Sequence, residues 1–217
     1  MTWRSSIAVP TLFLQSVPLG ESFFARDTVA VARDLIGCLL VHRECAGRIV
    51  ETEAYLGERD GASHAAPGRT ARNAVMFGRA GRVYVYFIYG MYHCMNFVTE
   101  QDGVAGAVLI RALEPLAGIE SMRTRRPKAK RWEDLASGPG KLTLAMAIGP
   151  EHNGEVLGKG SIEVRRPALT TDVPVALSPR IGIRKCAEWP MRFFERGNPC
   201  VSRSPFNATA TLAPPGG

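Results

Sequence analysis

Residues 48–96 begin with RIVETEAYLG (48–57) and end with YVYFIYGMYHCMN (84–96), and these two segments decide how the rest of the chain folds around them. The β-branched residues of the first segment favour an extended strand, whose side chains alternate between two faces. This alternation puts Glu51, Glu53 and Tyr55 on one face. Two carboxylates and a phenol on one face indicate either a solvent-exposed surface or a polar site.

The second segment predicts a β-hairpin that turns at Gly90. Its first strand carries Tyr84 and Tyr86, and a strand in an ordinary core rarely has so many phenols because each buried hydroxyl needs a partner. Tyr89 and Met91 fall at the tip, where apolar groups are unfavourable in water. We therefore expect a wedge or contact surface there. The alternative is a hairpin covered by a neighbouring loop.

Length and charge indicate one domain with a polyanionic partner. The 217 residues are enough to bury a sizeable core. Lysine and arginine number 27 against 20 acidic residues, which gives a net charge of +7. Such an excess favours nucleic acid as a partner but does not determine the fold.

The cysteines and histidines indicate neither disulfides nor a metal centre. The five cysteines are an odd number without CxxC spacing, and the four histidines lack the HExxH pattern. We therefore expect a cytoplasmic protein that needs no metal and no cofactor. The apolar stretches near the start of the chain are short and broken, so we expect no membrane span.

The flanking segments complete an α+β pattern. We expect a helix from Asp27 to Gly37, a strand over 38–43, a strand over 105–115 and a short helix over 116–126. A further helix over 139–148 is expected to be capped by Ser137. Short strands are expected after residue 150, namely in IEVRR, RIGIR and MRFFERG.

These elements predict a single α+β domain over residues 21–202, with a curved antiparallel sheet that forms an open, barrel-like core. Short helices flank the sheet and a β-hairpin protrudes from it. Residues 1–20 are expected to be an irregular leader, and the Pro- and Ala-rich residues 203–217 a disordered tail.

Several basic residues are candidates for specific contacts. Arg111 interrupts an apolar strand, so it lies either at a sheet edge or, as we favour, against Glu51 or Glu53. The long polar loop between residues 55 and 83 contributes four arginines that suit a phosphate backbone if they converge and are merely solvated if they do not: Arg69, Arg72, Arg79 and Arg82. Lys141, at a helix N-terminus, is also placed to contact a phosphate.

The residues themselves permit three interpretations. A carboxylate can activate water, an arginine can stabilise charge, and aromatic rings can stack on a base. Together with a basic surface and an apolar wedge, these groups suit a base-flipping enzyme. A non-catalytic nucleic-acid-binding module and a carbohydrate hydrolase remain alternatives.

Five motifs in order, RIVETEAYLG, MFGRAGRVYVYFIYGMYHCMN, VLIRALEP, SGPGKL and RIGI, closely resemble the alkyladenine (3-methyladenine) DNA glycosylase family. The resemblance extends from about residue 27 to residue 202. It implies a monofunctional, metal-free enzyme of base excision repair that flips alkylated or deaminated purines out of duplex DNA. Water then hydrolyses the N-glycosidic bond. We expect it to act on double-stranded DNA as a monomer.

The resemblance also implies roles for individual residues. Glu53 matches the general base, which leaves Glu51 as a supporting residue, and Arg111 matches the arginine that holds the attacking water. Tyr89 matches the side chain that fills the space vacated in the duplex, with Met91 beside it.

Four further positions match residues around the flipped base. Tyr55, His64 and Tyr86 correspond to residues that stack on the base or contact its edge. Asn96 corresponds to a residue that crowds the amino group of guanine. Arg69, Arg72 and Lys141 are the candidates for contacts with the DNA backbone.

Overall fold

A computed structural model describes residues 8, 11, 14–168 and 173–214. Five α-helices are present in these residues: α1 (Glu21–Phe24), α2 (Thr28–Asp34), α3 (Ile119–Arg125), α4 (Pro139–Met146) and α5 (Phe206–Thr209). The strands are β1 (Ser16–Pro18), β2 (Leu39–His42), β3 (Cys45–Tyr55), β4 (Val83–Ile88), β5 (Tyr92–Val98), β6 (Ala107–Ala117), β7 (Ile162–Pro167), β8 (Val175–Ser178), β9 (Arg192–Glu195) and β10 (Thr211–Leu212).

All ten strands belong to one antiparallel sheet that forks at β3. Along its main path the order is β1-β7-β2-β3-β6-β5-β4. One edge of β3 pairs with β6 along its length. The other edge pairs first with β2 and then, at residues 51–53, with β9. Strands β8 and β10 extend this second branch. The carboxylate strand is therefore the centre of the sheet.

The sheet curves but does not close into a barrel. Register shifts between β3 and β6 at residues 49–52 mark bulges, which bend a strand and redirect its side chains. Short helices pack on the sheet, and the β4–β5 hairpin extends from its end. The predicted single α+β domain with a curved antiparallel sheet, flanking helices and a protruding hairpin is confirmed.

The main core lies between the sheet and helices α2, α3 and α4. Fully buried side chains such as Leu40, Ile49, Phe97 and Leu113 fill it. At its edge, α4 approaches β5 so closely that a Cβ on Gly140 would lie 2.9 Å from the Cβ of Tyr92. This contact places the N-terminus of α4 beside the hairpin.

Two predicted helix ends can be compared with the structure. The predicted cap of α2 is confirmed, because the Asp27 carboxylate accepts a hydrogen bond from the Ala30 amide at 2.9 Å. The predicted cap of α4 is wrong: Gly138, at φ 136°, occupies the N-cap, and the Ser137 hydroxyl accepts from Lys141 Nζ instead. Residue Ala147 then takes a left-handed conformation and ends this helix before residue 148.

The predicted leader and tail contain regular structure where they are described. Ser16–Pro18 pairs with β7, while residues 1–7, 9, 10, 12 and 13 lie outside the described residues. In the C-terminal segment, Phe206–Thr209 is helical and Thr211–Leu212 pairs with β8. The prediction of disorder is therefore wrong over 203–214, and residues 215–217 are not described. A polar, Pro-rich composition did not indicate that the sheet offers this segment partners.

Two further differences concern loops. The polar segment after Tyr55 contains 3₁₀ turns at Gly57–Arg59 and Ala74–Phe77 rather than irregular chain alone. The RIGIR segment (180–184) is not a strand, although IEVRR and MRFFERG do contain the predicted strands β7 and β9.

Candidate active site

The hairpin presents an apolar tip. Tyr89 and Gly90 both adopt left-handed backbone conformations, with φ of 53° and 67°, which is unusual for a tyrosine. Tyr89 is 78% exposed and Met91 64% exposed, and Phe87 on the adjoining strand is 52% exposed. None of the described segments covers this tip, so the prediction of an exposed apolar surface is confirmed.

Beside the hairpin lies a cavity of about 500 Å³. Its walls come from β4, β5, β6, the loop around Ala62, the N-terminus of α4 and residues 181–183. The predicted site residues that line it are Tyr55, His64, Tyr86, Tyr89, Asn96, Arg111 and Lys141. The other predicted residues, all in described parts of the chain, do not line it: Glu53, Met91, Arg69 and Arg72.

Aromatic rings form one wall of the cavity. The His64 and Tyr86 rings lie 4.4 Å apart at 70°, and the Tyr84 ring lies 5.6 Å from Tyr86. His64 Nδ1 is within hydrogen-bond distance, 3.0 Å, of the Tyr84 hydroxyl. Burial, and to a smaller extent the nearby Arg72, lowers the pKa of His64, so this imidazole is neutral at pH 7.

Glu53 lies directly behind the cavity wall. Its carboxylate is fully buried and accepts a hydrogen bond from the Tyr55 hydroxyl at 2.9 Å and from the Ile181 amide at 2.8 Å. Arg111 Nη1 lies 3.2 Å from the same carboxylate. Burial and the neighbouring Glu53 raise the pKa of Tyr55 well above its usual value, so the phenol stays protonated and donates.

Glu51, two residues earlier, is also fully buried but has a different environment. Its Oε1 accepts from Arg111 Nε at 2.9 Å, Arg192 Nε at 2.7 Å and the Ser202 hydroxyl at 2.7 Å. Its Oε2 accepts from the Ser202 amide at 2.9 Å. Burial opposes ionisation of Glu51, but the Arg111 and Arg192 charges outweigh it, and the pKa is lowered.

The predicted ion pair of Arg111 is confirmed, and it involves both glutamates. Arg111 is 7% exposed, and burial alone would lower its pKa. The charges of Glu53 and Glu51 overcome that effect and raise the pKa. A guanidinium held by two carboxylates in this way keeps a fixed position at the cavity wall.

Sequence reasoning missed several residues that support the site. Arg192 begins β9, directly before the apolar pair Phe193 and Phe194, and an arginine beside buried aromatic residues is a signal that could have identified it. Arg180 is buried, pairs with Asp60 and lies with its guanidinium carbon 4.6 Å from the centre of the Tyr55 ring. Nothing in the local sequence around Ile181 indicated that its amide contacts Glu53.

The loop arginines do not converge. Arg79 pairs with Glu21 at 3.0 Å, and Arg82 donates to the Gly154 carbonyl oxygen at 3.2 Å. Arg69 and Arg72 are exposed. The condition for a single positive edge formed by all four is therefore not met, and of these four Arg69 and Arg72 remain as candidates for the DNA backbone.

The described part of the chain contains neither a cluster of metal ligands nor a membrane-spanning helix. There, no three histidine, cysteine, aspartate or glutamate side chains cluster as metal ligands would. No helix in residues 14–168 and 173–214 has the length and apolar character needed to cross a bilayer.

An aromatic cavity with a buried carboxylate behind its wall, next to an exposed aromatic hairpin tip, suits a hydrolase that acts on nucleic acid. The comparison with known proteins identifies which one. A sequence model of the methylpurine-DNA glycosylase family matches residues 22–199. The chain belongs to that family, and the predicted class of enzyme, a DNA glycosylase, is confirmed.

Three relatives match this chain over almost their whole length. A protein of Methanocella arvoryzae is 50% identical over 194 residues, which cover 85% of this chain and 96% of the relative. A protein of Methanoculleus marisnigri is 50% identical over 191 residues, covering 85% and 98%. One of Koribacter versatilis is 44% identical over 209 residues, covering 92% and 97%. Each of the three is provisionally named a 3-methyladenine DNA glycosylase.

Proposed function

We propose that this chain is a monofunctional DNA glycosylase that flips alkylated or deaminated purines out of duplex DNA and hydrolyses their N-glycosidic bond with a water activated by Glu53. The observation that carries this proposal is the buried Glu53 carboxylate, hydrogen-bonded to Tyr55 in the wall of an aromatic cavity. The names of the relatives support 3-methyladenine as one of the bases released.

The cavity suits an extruded base. Ligand pockets of this kind measure roughly 300–1,000 Å³, and the cavity here is about 500 Å³. Tyr55, His64 and Tyr86 supply rings that stack on the base or contact its edge, and Asn96 borders the same space. Tyr89 inserts into the gap left in the duplex, with Met91 beside it, and partly offsets the cost of unstacking.

The chemical step uses Glu53 and Arg111. The bond between the deoxyribose C1′ and the base nitrogen breaks, and its electron pair leaves with the base. A cationic alkylated purine thereby departs neutral, whereas a deaminated purine departs as an anion that takes a proton from solvent. The bond between C1′ and the water oxygen forms, and Glu53 accepts the proton released by the water. Arg111, fixed by both glutamates, orients the water. Glu53 meets the cavity through Tyr55, Arg111 and Ile181, and the Tyr55 hydroxyl yields its place on Oε2 to the water when substrate enters.

Backbone contacts position the enzyme on DNA. Arg69, Arg72 and Lys141 are the side chains we assign to phosphates, and Lys141 lies at the N-terminus of α4, where the helix dipole also favours an anion. The net charge of +7 supplies nonspecific attraction to the duplex.

The test is release of free base. The full chain is incubated with duplex DNA treated with a methylating agent, with a duplex that carries a single hypoxanthine and with undamaged duplex, and the released bases are separated and quantified. We expect methylated purines and hypoxanthine to be released, in the presence of a chelator as well as in its absence. Binding to damaged duplex without release of any base would overturn the proposal and favour a non-catalytic nucleic-acid-binding module.

A further inference from the structure

The C-terminal segment contacts the buried charges behind the cavity, although it lies beyond the residues matched by the family model, 22–199. Ser202 donates both its amide and its hydroxyl to Glu51, at 2.9 Å and 2.7 Å. Two of the four hydrogen bonds on this carboxylate therefore come from one residue of the C-terminal segment.

The same segment also contacts the second guanidinium. Arg192 Nη2 donates to the Asn207 side-chain oxygen at 2.9 Å, and the Asn207 amide nitrogen donates to the Ser202 carbonyl oxygen at 3.1 Å. Because Arg192 Nε also donates to Glu51, the contacts form a closed ring through Glu51, Arg192, Asn207 and Ser202. Asn207 thus joins helix α5 to β9 and, through Arg192, to Glu51 on the central strand of the sheet.

This ring of hydrogen bonds lies next to Arg111, so it can affect how Arg111 is oriented. Glu51 bonds Arg111 through Nε, and the other end of the same guanidinium reaches Glu53 through Nη1. Arg111 is planar and cannot rotate at one end without moving at the other. A displacement of Glu51 would therefore move the atom of Arg111 that faces Glu53.

We propose that Ser202 and Asn207 are positioning residues for the hydrolytic step: they fix Glu51, and through it the orientation of Arg111 against Glu53. This inference rests on the proposed function, and it adds to the active site a segment that the family match does not include. Neither residue touches the cavity, so neither is expected to contribute to DNA binding.

The test separates positioning from stability and from binding. Full-length Ser202→Ala, which keeps the amide contact and loses the hydroxyl, is compared with wild type in single-turnover excision at saturating enzyme. Removing a hydrogen bond to a buried charge is expected to lower the rate about tenfold. The dissociation constant for a damaged duplex should stay within about twofold, because no DNA contact is removed.

Two variants serve as controls. Ser202→Thr keeps the hydroxyl and should restore the wild-type rate. Ser204→Ala changes the same segment but removes only a contact between its hydroxyl and the Phe206 amide, so its rate should equal wild type. An unchanged rate in Ser202→Ala, or a loss that Ser202→Thr does not restore, would overturn the proposal. Equal losses in Ser202→Ala and Ser204→Ala would also overturn it and indicate a general effect of the segment.

A readout independent of activity keeps the two proposals distinguishable. In ¹⁵N NMR spectra, the Nε–H of Arg111 should be protected from exchange in wild type and in Ser202→Thr. In Ser202→Ala it should shift and exchange at least about tenfold faster, as expected when a buried hydrogen-bond network opens. If wild type releases no base, the proposed function fails, and the exchange measurement alone decides whether Ser202 fixes Arg111.

Discussion

Glu51 and Glu53 are adjacent on one face of β3 and equally buried, yet the groups around them give them different chemistry. Glu51 is surrounded by donors on Arg111, Arg192 and Ser202 and has no contact with the cavity wall other than Arg111. Glu53 instead contacts the Tyr55 hydroxyl, which lines the cavity. A carboxylate saturated by two guanidiniums is a poor base, and this contrast supports Glu53 for that role.

The first prediction concerns Glu53→Gln, which keeps the shape of the side chain and removes its capacity to take a proton. Excision should fall by about 10²–10⁴-fold, on the order of 3–5 kcal/mol of barrier, while affinity for damaged duplex stays near wild type. Single-turnover kinetics and a binding titration measure the two quantities. Glu51→Gln is the matched control.

The control should behave differently. Glu51→Gln leaves Arg192 and Arg111 short of negative charge in the interior, so it should lower the free energy of unfolding by about 3–5 kcal/mol. A folded, stable Glu51→Gln without activity beside an active Glu53→Gln would reverse the assignment of the two glutamates.

The second prediction concerns selectivity at Asn96. This residue is 4% exposed, lines the cavity and donates from Nδ2 to the Tyr84 carbonyl oxygen at 3.0 Å, which fixes its side chain. Asn96→Ala should raise the ratio of guanine-type to adenine-type excision rates by about 5–150-fold, which corresponds to about 1–3 kcal/mol. The reason is that the substitution removes the group proposed to crowd the exocyclic amine of guanine. Single-turnover rates on paired substrates give the ratio.

The alternative for Asn96 is a purely structural role in holding Tyr84. In that case the substitution would lower stability and all excision rates together, and the ratio between the two substrates would not change. Asn96→Ser, which keeps a small polar group, should give an intermediate ratio if the exclusion is steric.

At the scale of elements, the hairpin and the C-terminal segment show what local sequence can and cannot predict. The hairpin was predictable, because Gly90 and the alternation of aromatic residues specify a turn and two strands from within residues 84–96. The ordered C-terminal segment was not, since its partners lie far away in the chain: β8 for β10, and Arg192 and Glu51 for Asn207 and Ser202. The composition of a segment indicates its local conformational preference but not the distant residues with which it pairs.

The third prediction tests the hairpin as a wedge. Tyr89→Ser should weaken capture of the extruded base more than general affinity for DNA, because the ring offsets part of an unstacking cost of a few kcal/mol. Fluorescence of a base analogue at the lesion position reports extrusion, and binding to undamaged duplex reports general affinity.

A matched control comes from the same hairpin. Phe87 is also exposed but does not line the cavity, so Phe87→Ser should leave extrusion nearly unchanged. Equal losses of affinity on damaged and undamaged duplex in Tyr89→Ser would count against the wedge.

At the scale of the whole molecule, the strand β3 explains why the site forms. It is the only described strand that pairs with β2, β6 and β9, and it thereby brings Glu51 and Glu53 against arginines from β6 and β9. The sequence was sufficient to predict β3, β6 and the carboxylate–arginine contact, since charged residues interrupt the apolar pattern of both strands. It was not sufficient for the fork in the sheet, because β2 and β9 share one edge of β3 through contacts between distant parts of the chain, which leave no local signal.

The last prediction concerns the pH dependence of global stability. His42 is 1% exposed; its Nδ1 lies 2.7 Å from the Met146 carbonyl oxygen, and its buried Nε2 has no hydrogen-bond partner in the described structure. Burial lowers the pKa of His42 below its usual 6.5, and burial also lowers that of His64. Both rings are therefore held neutral in the folded state.

In the unfolded chain these histidines take up protons near pH 6.5, before the folded state does. The free energy of unfolding should consequently be greatest above pH 6.5 and should decline as the pH falls from 7 towards 5.5. The slope is at most about 1.4 kcal/mol per pH unit for His42. His64 adds less, because its side chain is exposed and solvent screens its interactions. Denaturant titrations at several pH values measure it, and His42→Gln should reduce the slope. A stability that is constant or rises on acidification over this interval would show that His42 and His64 do not control it.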